Sequence, residues 1–159
     1  MLFNSTLCYL IRDDSYLMLH RTKKEEDLNS GKWIGVGGKF EPAESPEECV
    51  IREVFEETGY TLDDMEYRGI VTFVYGQYAE VTEYMHIFTS EHFSGKQKIC
   101  DEGDLKWIKI SEVPKLDIWE GDRIFLDLLK NSASFFSLKL HYDDDGNLVD
   151  HEEHIYGGL

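Results

Sequence analysis

Arg52-Glu53-Val54-Phe55-Glu56-Glu57-Thr58-Gly59 sets three carboxylates within five residues, with one guanidinium beside them. On an α-helix, Glu53, Glu56 and Glu57 span only about 100° of the circumference, because i,i+3 and i,i+4 positions are neighbours. Carboxylates this close repel one another unless a cation or a proton intervenes. Hard oxygen donors of this kind suit Mg²⁺ or Mn²⁺. Arg52 lies one turn before Glu56, where it can pair with a glutamate and fix its rotamer. The same residues also fit a solvated acidic face with an ordinary i,i+4 Arg–Glu pair, so the triad alone leaves both readings open. Just upstream, Gly37-Gly38-Lys39 offers bare main chain for close approach to a phosphate or a metal, and an ammonium for phosphate oxygens.

Such a triad needs a helix to carry it, and the sequence supplies one. Ser45 is placed as an N-cap, Pro46 suits the first helical position, Glu48 completes a capping box, and Gly59 is a natural stop. These signals predict a helix over Pro46–Thr58. Ile51, Val54, Phe55 and Thr58 fall opposite the carboxylates and are expected to pack on a sheet. Ser5–Ile11 and Tyr16–His20 read as strands joined by a turn at residues 12–15, followed by the polar loop RTKKEEDLNSGK. Further strands are expected at Tyr67–Tyr75, Tyr78–Thr89 and Leu105–Ile110, then a helix at Asp122–Lys130. A closing hairpin over Phe135–Tyr142 and Leu148–Ile155 turns at residues 143–147. The stretch from His141 to Glu152 has part of the spacing of an EF-hand loop. It lacks an acidic first ligand and flanking helices, so a polar turn is the better reading. Strands with two intervening helices predict one α/β domain with a mixed sheet.

Thirty-two acidic residues against sixteen basic ones give a formal net charge of −16. That balance argues against a nucleic-acid polymer or an anionic membrane as partner, though divalent cations can still bridge an acidic protein to phosphates. Cys8, Cys49 and Cys100 match neither a disulfide framework nor a zinc site. Reduced thiols fit a cytoplasmic protein. The N-terminal segment has neither the pattern of a signal peptide nor that of a membrane span.

Read together, Gly38-x5-Glu44-x7-Arg52-Glu53-Val54-x-Glu56-Glu57-x-Gly59-Tyr60 resembles the Nudix box, G-x5-E-x7-R-E-U-x-E-E-x-G-U, with U a bulky aliphatic residue. Every charged and glycine position matches, and Tyr60 at the last U departs from it. The resemblance implies a Nudix-type α/β/α sandwich with a central mixed sheet. It would be a single domain over residues 1–159, with the box at 38–60. It implies Mg²⁺, with Mn²⁺ as a substitute, and a nucleotide substrate. Glu53, Glu56, Glu57 and the Gly37 carbonyl would be ligands, Arg52 would orient the glutamates, and Glu44 would brace the loop–helix join. A glutamate would take the proton of the attacking water. Glu56 is the first candidate, with Glu53 and Glu102 as rivals. Gly38, Lys39 and Lys23 would meet the phosphates. Lys23 has a plainer reading as a solvated loop lysine.

The segments RTKKEEDLNSGKWIGVGGK and LKWIKISEVPKLDIWEGD are further similar to the MutT-like 8-oxo-dGTP diphosphatases, which release pyrophosphate from a triphosphate. Carried over, Trp119 would stack on the purine, Asp122 would bond its edge, and Glu102 would add a carboxylate near the metals. Trp119 also reads as a core aromatic and Asp122 as a helix cap. Ile34 and Gly121 depart from that group's vertebrate-type pattern, which has an asparagine and a further aspartate there. Asp122 and main-chain groups would then carry base recognition. The expected activity is hydrolysis of oxidised purine nucleoside triphosphates by a monomer or homodimer that sanitises the nucleotide pool. The alternatives are a Nudix hydrolase of another nucleotide (a dinucleoside polyphosphate, a nucleotide sugar or capped RNA) or a non-catalytic Nudix-fold sensor.

Overall fold

Two successive aspartates, Asp13 and Asp14, take positive φ of 50° and 58°. A two-residue hairpin turn needs that pair of left-handed residues. They join β1 (Leu2–Arg12) to β2 (Ser15–His20), as the sequence predicts. The structure, a computed structural model, describes residues 1–23, 28–131 and 134–157. Residues 24–27, in the middle of the expected polar loop, lie outside the described residues.

β3 (Trp33–Ile34), β4 (Val36–Lys39), α1 (Pro46–Thr58), β5 (Tyr60–Leu62), β6 (Glu66–Tyr75), β7 (Val81–Ser90) and β8 (Phe93–Gly95) follow. After β9 (Asp104–Lys109) and a 3₁₀ turn at Val113–Lys115 come α2 (Asp122–Asn131), β10 (Phe136–Tyr142) and β11 (Leu148–Ile155). One sheet runs β11-β10-β6-β7-β1-β2-β3, with β4 also on β1 and β9 also on β2. β1 pairs with β7, and β6 with β10, in parallel, and the remaining pairs are antiparallel. The sheet is therefore mixed, as expected.

β1 shows why the sheet is covered on both faces. Successive side chains point to opposite faces. Leu7 and Tyr9 join one core with Phe125, Leu126 and Leu129 of α2, while Cys8 and Leu10 join a second core with Val50 and Val54 of α1. A strand covered on both sides is buried without alternation, which is the pattern of 5–10, apolar from Leu7 to Leu10 and opened by the buried hydroxyls of Ser5 and Thr6. The result is an α/β/α sandwich.

The buried face of α1 differs from the expected one. Cys49, Val50, Val54, Glu57 and Thr58 are buried, whereas Ile51 and Phe55 are exposed. Small side chains at 49, 50 and 54 let the helix lie close on β1 and β4, and a main-chain donor from β4 receives Glu57. The stripe facing the sheet is therefore rotated towards the carboxylates. β5 and β8 form a separate two-stranded sheet that the sequence does not announce. The Arg12 guanidinium fastens it, lying 4.8 Å from the Phe93 ring centre and 5.0 Å from that of Trp107. The 143–147 turn is a polar hairpin turn: Asp143 accepts from the Asp145 and Asn147 amides, in place of a cation. No helix among the described residues is long and apolar enough to cross a membrane.

Candidate active site

The start of α1 is fixed reciprocally. Ser45 Oγ accepts from Glu48 N at 3.1 Å, and the Glu48 carboxylate accepts from Ser45 N at 3.0 Å. Gly59 ends the helix at φ 83°, donating to Phe55 O. Between these caps the box side chains are held in register with β4.

Arg52 is the hub. Its Nε and Nη2 donate to Glu44 at 2.6 and 2.9 Å, and its Nη1 to Glu53 at 2.7 Å and Glu56 at 3.1 Å. Nη2 also reaches the Lys39 carbonyl at 3.1 Å. Glu44 in turn accepts from Glu41 N at 2.7 Å, so it ties the loop to the helix. The Arg52 hydrogen bond holds the Glu44 carboxyl down at about 2. The two carboxylates nearer the sheet behave oppositely. Burial raises Glu53 above the usual carboxylate range, and raises Glu57 well above it, helped by the charges of Glu102 and Glu53.

Glycine makes this proximity possible. A Cβ on Gly38 would stand 2.5 Å from the Glu53 carboxylate, and one on Gly37 would stand 1.9 Å from Thr6 O. Gly37 N donates to Glu57 Oε2 at 3.3 Å. A cavity of about 1140 Å³ opens beside these residues, and its wall includes Gly37, Gly38, Lys39, Glu53, Glu57, Glu102, Arg21 and Lys23. Glu102 is held by Arg21 Nη1 at 2.8 Å. Lys23 Nζ donates to the Cys100 carbonyl, and Lys39 Nζ lies 4.5 Å from the Phe3 ring centre. Glu56 is not on this wall. Its side chain is 54 % exposed and is held outside by Arg52.

A second group of expected residues meets the same cavity. Trp119 and Asp122 line it, with Ile34, Phe73, Glu83 and Met85. Trp119 is only 7 % exposed and packs edge-on against Phe73 and Tyr142, with Nε1 donating to Asn29 at 2.7 Å. It is a core residue that also borders the cavity. Asp122 opens α2 and is buried, and burial pushes its carboxyl up to about 8. Gly121 has no room for a side chain, since a Cβ there would come within 2.5 Å of Leu140 and 2.6 Å of the Tyr142 hydroxyl. Arg21, Asn29, Ser5 and Glu83 escaped the sequence reading. Glu83 had a signal: it shares one face of β7 with Met85 and Ile87, in an otherwise apolar row.

Can this wall hold a metal? No three His, Cys, Asp or Glu side chains among the described residues converge on one point. Arg52 draws Glu53 and Glu56 aside, and Gly37 N draws Glu57. The donor set nonetheless fits a hard dication. Glu53, Glu57 and Glu102 share one wall, burial and the charges of Glu102 and Glu53 raise Glu57, and bare glycine main chain leaves space beside them.

A sequence model of the NUDIX domain matches residues 1–129. The oxidized purine nucleoside triphosphate hydrolase of Mus musculus is 29% identical over 112 residues, covering 70% of this chain and 71% of that protein. The uncharacterized Nudix hydrolase YvcI of Bacillus subtilis is 28% identical over 147 residues, covering 91% of this chain and 89% of its own. A crystal structure of the MutT protein from Bacillus halodurans matches with a TM-score of 0.85 at 28% identity, over 95% of this chain and 97% of that one.

Proposed function

The chain belongs to the Nudix family and is a pyrophosphohydrolase, and from that premise we propose that it is a Mg²⁺-dependent nucleoside triphosphate diphosphatase acting on purine nucleotides. We take 8-oxo-dGTP as its preferred substrate, residues 1–159 as one working domain, and the cytoplasm as its place of action. The observation that carries this reading is one cavity whose wall includes both the box carboxylates and an aromatic–acid pair, Trp119 and Asp122. The first group suits a polyphosphate and the second a base.

Glu53, Glu57, Glu102 and the Gly37 carbonyl would hold the divalent cation, with Glu56 at its outer edge. Bound there, the cation supplies charge neutralisation to phosphate oxygens and lowers the pKa of a water. The chain's own groups do the rest. Arg52 keeps Glu53 and Glu56 oriented. Lys39 and Lys23 offer ammonium groups to the phosphates. Gly37 and Gly38 admit the polyphosphate close to the main chain. The proton of the attacking water passes to a glutamate. Glu53 is better placed for this than Glu56 or Glu102, because it lies against Gly38 on the cavity wall.

Departures at Ile34 and Gly121 favour a second reading, hydrolysis of a different nucleotide. A panel of 8-oxo-dGTP, dGTP, dATP, dCTP, a dinucleoside polyphosphate, a nucleotide sugar and capped RNA separates the two. Release of pyrophosphate from purine triphosphates is expected. Turnover confined to the last three substrates would overturn the reading. Glu57→Gln should raise the half-saturating Mg²⁺ concentration by roughly tenfold to a hundredfold. The circular dichroism spectrum should stay unchanged. Unaltered activity at limiting Mg²⁺ would remove Glu57 from the ligand set.

A further inference from the structure

β7 carries a carboxylate into the wall of the cavity. Glu83 pairs across the sheet with Phe73, whose ring meets Trp119 edge-on with centres 5.4 Å apart. Ser5 Oγ, on the neighbouring strand β1, donates to Glu83 Oε2 at 2.6 Å. Glu83, Ser5, Phe73, Trp119 and Asp122 all line the cavity. Neither an apolar strand row nor the box chemistry accounts for a carboxylate at this position.

Asp122 supplies the second observation. It is 5 % exposed, lies on the cavity wall, and its carboxyl has no hydrogen-bond partner among the described residues. Its carboxyl oxygens keep access to the cavity, where a ligand can supply the partner that the protein does not. Glycine at 121 and isoleucine at 34 contribute no side-chain hydrogen bonds, so Glu83 and Asp122 are the two carboxyl groups this wall presents around Trp119.

We propose that Glu83 is a specificity-determining residue that, with Asp122, selects a guanine-type base over an adenine-type one. The proposal rests on the reading of this cavity as a nucleotide site. Guanine presents an acceptor (O6) beside two donors (N1–H and the 2-amino group). A carboxylate accepts two adjacent N–H groups side by side, as it does from arginine. Glu83 takes the two donors, and Ser5 fixes the plane of its carboxylate. Asp122, kept protonated at neutral pH by burial, donates to O6. Adenine reverses this pattern, with an acceptor at N1 and a donor at the 6-amino group. It would set the N1 lone pair against Glu83 and leave Asp122 without an acceptor. A site built to bond a particular edge rejects the wrong edge because its own groups are left unpaired. Guanine and 8-oxoguanine share this edge, so Glu83 does not tell them apart.

The test is binding, not turnover, so that it stands apart from the hydrolysis reading. Affinities of dGMP, dIMP and dAMP are measured by calorimetry without metal, for the wild type, Glu83→Gln and Ser5→Ala. Hypoxanthine lacks only the 2-amino group of guanine. Wild type is expected to bind dGMP about tenfold tighter than dIMP, and tighter still than dAMP. Glu83→Gln should bring dGMP and dIMP together, and Ser5→Ala should narrow the gap partway. Equal affinity of wild type for all three, or a Glu83→Gln variant that weakens all three alike, overturns the role of Glu83. Selective dGMP binding without triphosphate hydrolysis leaves this proposal intact and overturns only the proposed activity.

Discussion

Replacing Glu53 with glutamine is expected to lower kcat at saturating Mg²⁺ by at least roughly a hundredfold, in the range that removal of a general base produces. The argument is positional. Glu53 lies on the cavity wall against the bare main chain of Gly38, and Arg52 holds one of its oxygens at 2.7 Å. A glutamine keeps the shape and one acceptor, but it cannot take up a proton. Glu56→Gln is expected to cost less, within about tenfold, because Glu56 is half exposed and stands outside the wall. Single-turnover rates on dGTP for both variants decide between them. A larger loss for Glu56→Gln than for Glu53→Gln returns the base to Glu56, and a loss confined to Glu102→Gln moves it to Glu102. The Mg²⁺ dependence should be recorded alongside, since a ligand loss is recovered at high metal concentration and a base loss is not.

The parts legible in the sequence were those governed by local rules. The bounds of α1 follow from Ser45, Pro46, Glu48 and Gly59, whose capping chemistry acts within a few residues. The turn at Asp13-Asp14 and the closing hairpin are local in the same way. The box was legible because its spacing is that of one helix and the glycines before it. What stayed hidden depends on distant partners. Glu57 is buried because an amide twenty positions earlier receives it, and helical periodicity alone put Ile51 and Phe55 there instead. Glu83 meets Ser5 across seventy-eight positions through the parallel pairing of β1 with β7, which no local pattern announces. β5 and β8 are three residues each, too short for periodicity to register. Trp119 shows a different limit. Its residue type suited both the base site and the core, and its burial against Phe73, Tyr75 and Tyr142 makes it chiefly a core residue that borders the site.

Asp122→Asn should make the protein more stable relative to the wild type as pH rises, an effect opposite to that of a salt-bridged aspartate. Asp122 is buried, and its carboxyl is pushed from the ordinary 3.8 up to about 8. The Arg123 and Lys32 charges pull it down, and Glu83 pushes it up. The buried Tyr9 and Tyr142 lie within reach of the same charge. Below pH 3.8 the residue is neutral in both folded and unfolded chains. Between 3.8 and about 8 the unfolded chain ionises while the folded one stays protonated, so the folded state binds more protons and wild-type stability falls with rising pH. Above about 8 that loss is complete. Each pH unit in the window contributes at most about 1.4 kcal/mol, and water entering the cavity reduces this, so a total of a few kcal/mol is expected. For a chain of this size, roughly 2–4 °C of Tm accompanies each kcal/mol. The Tm of Asp122→Asn minus that of the wild type should therefore climb by about 5–10 °C between pH 5 and 8, then level off. The asparagine can carry a fixed offset from its own hydrogen bonding, but it has no titration, so the slope and not the offset reports on Asp122. Parallel Tm–pH curves for the two proteins would mean that Asp122 is already ionised in the folded chain, and that it meets a base as a carboxylate instead of as an acid.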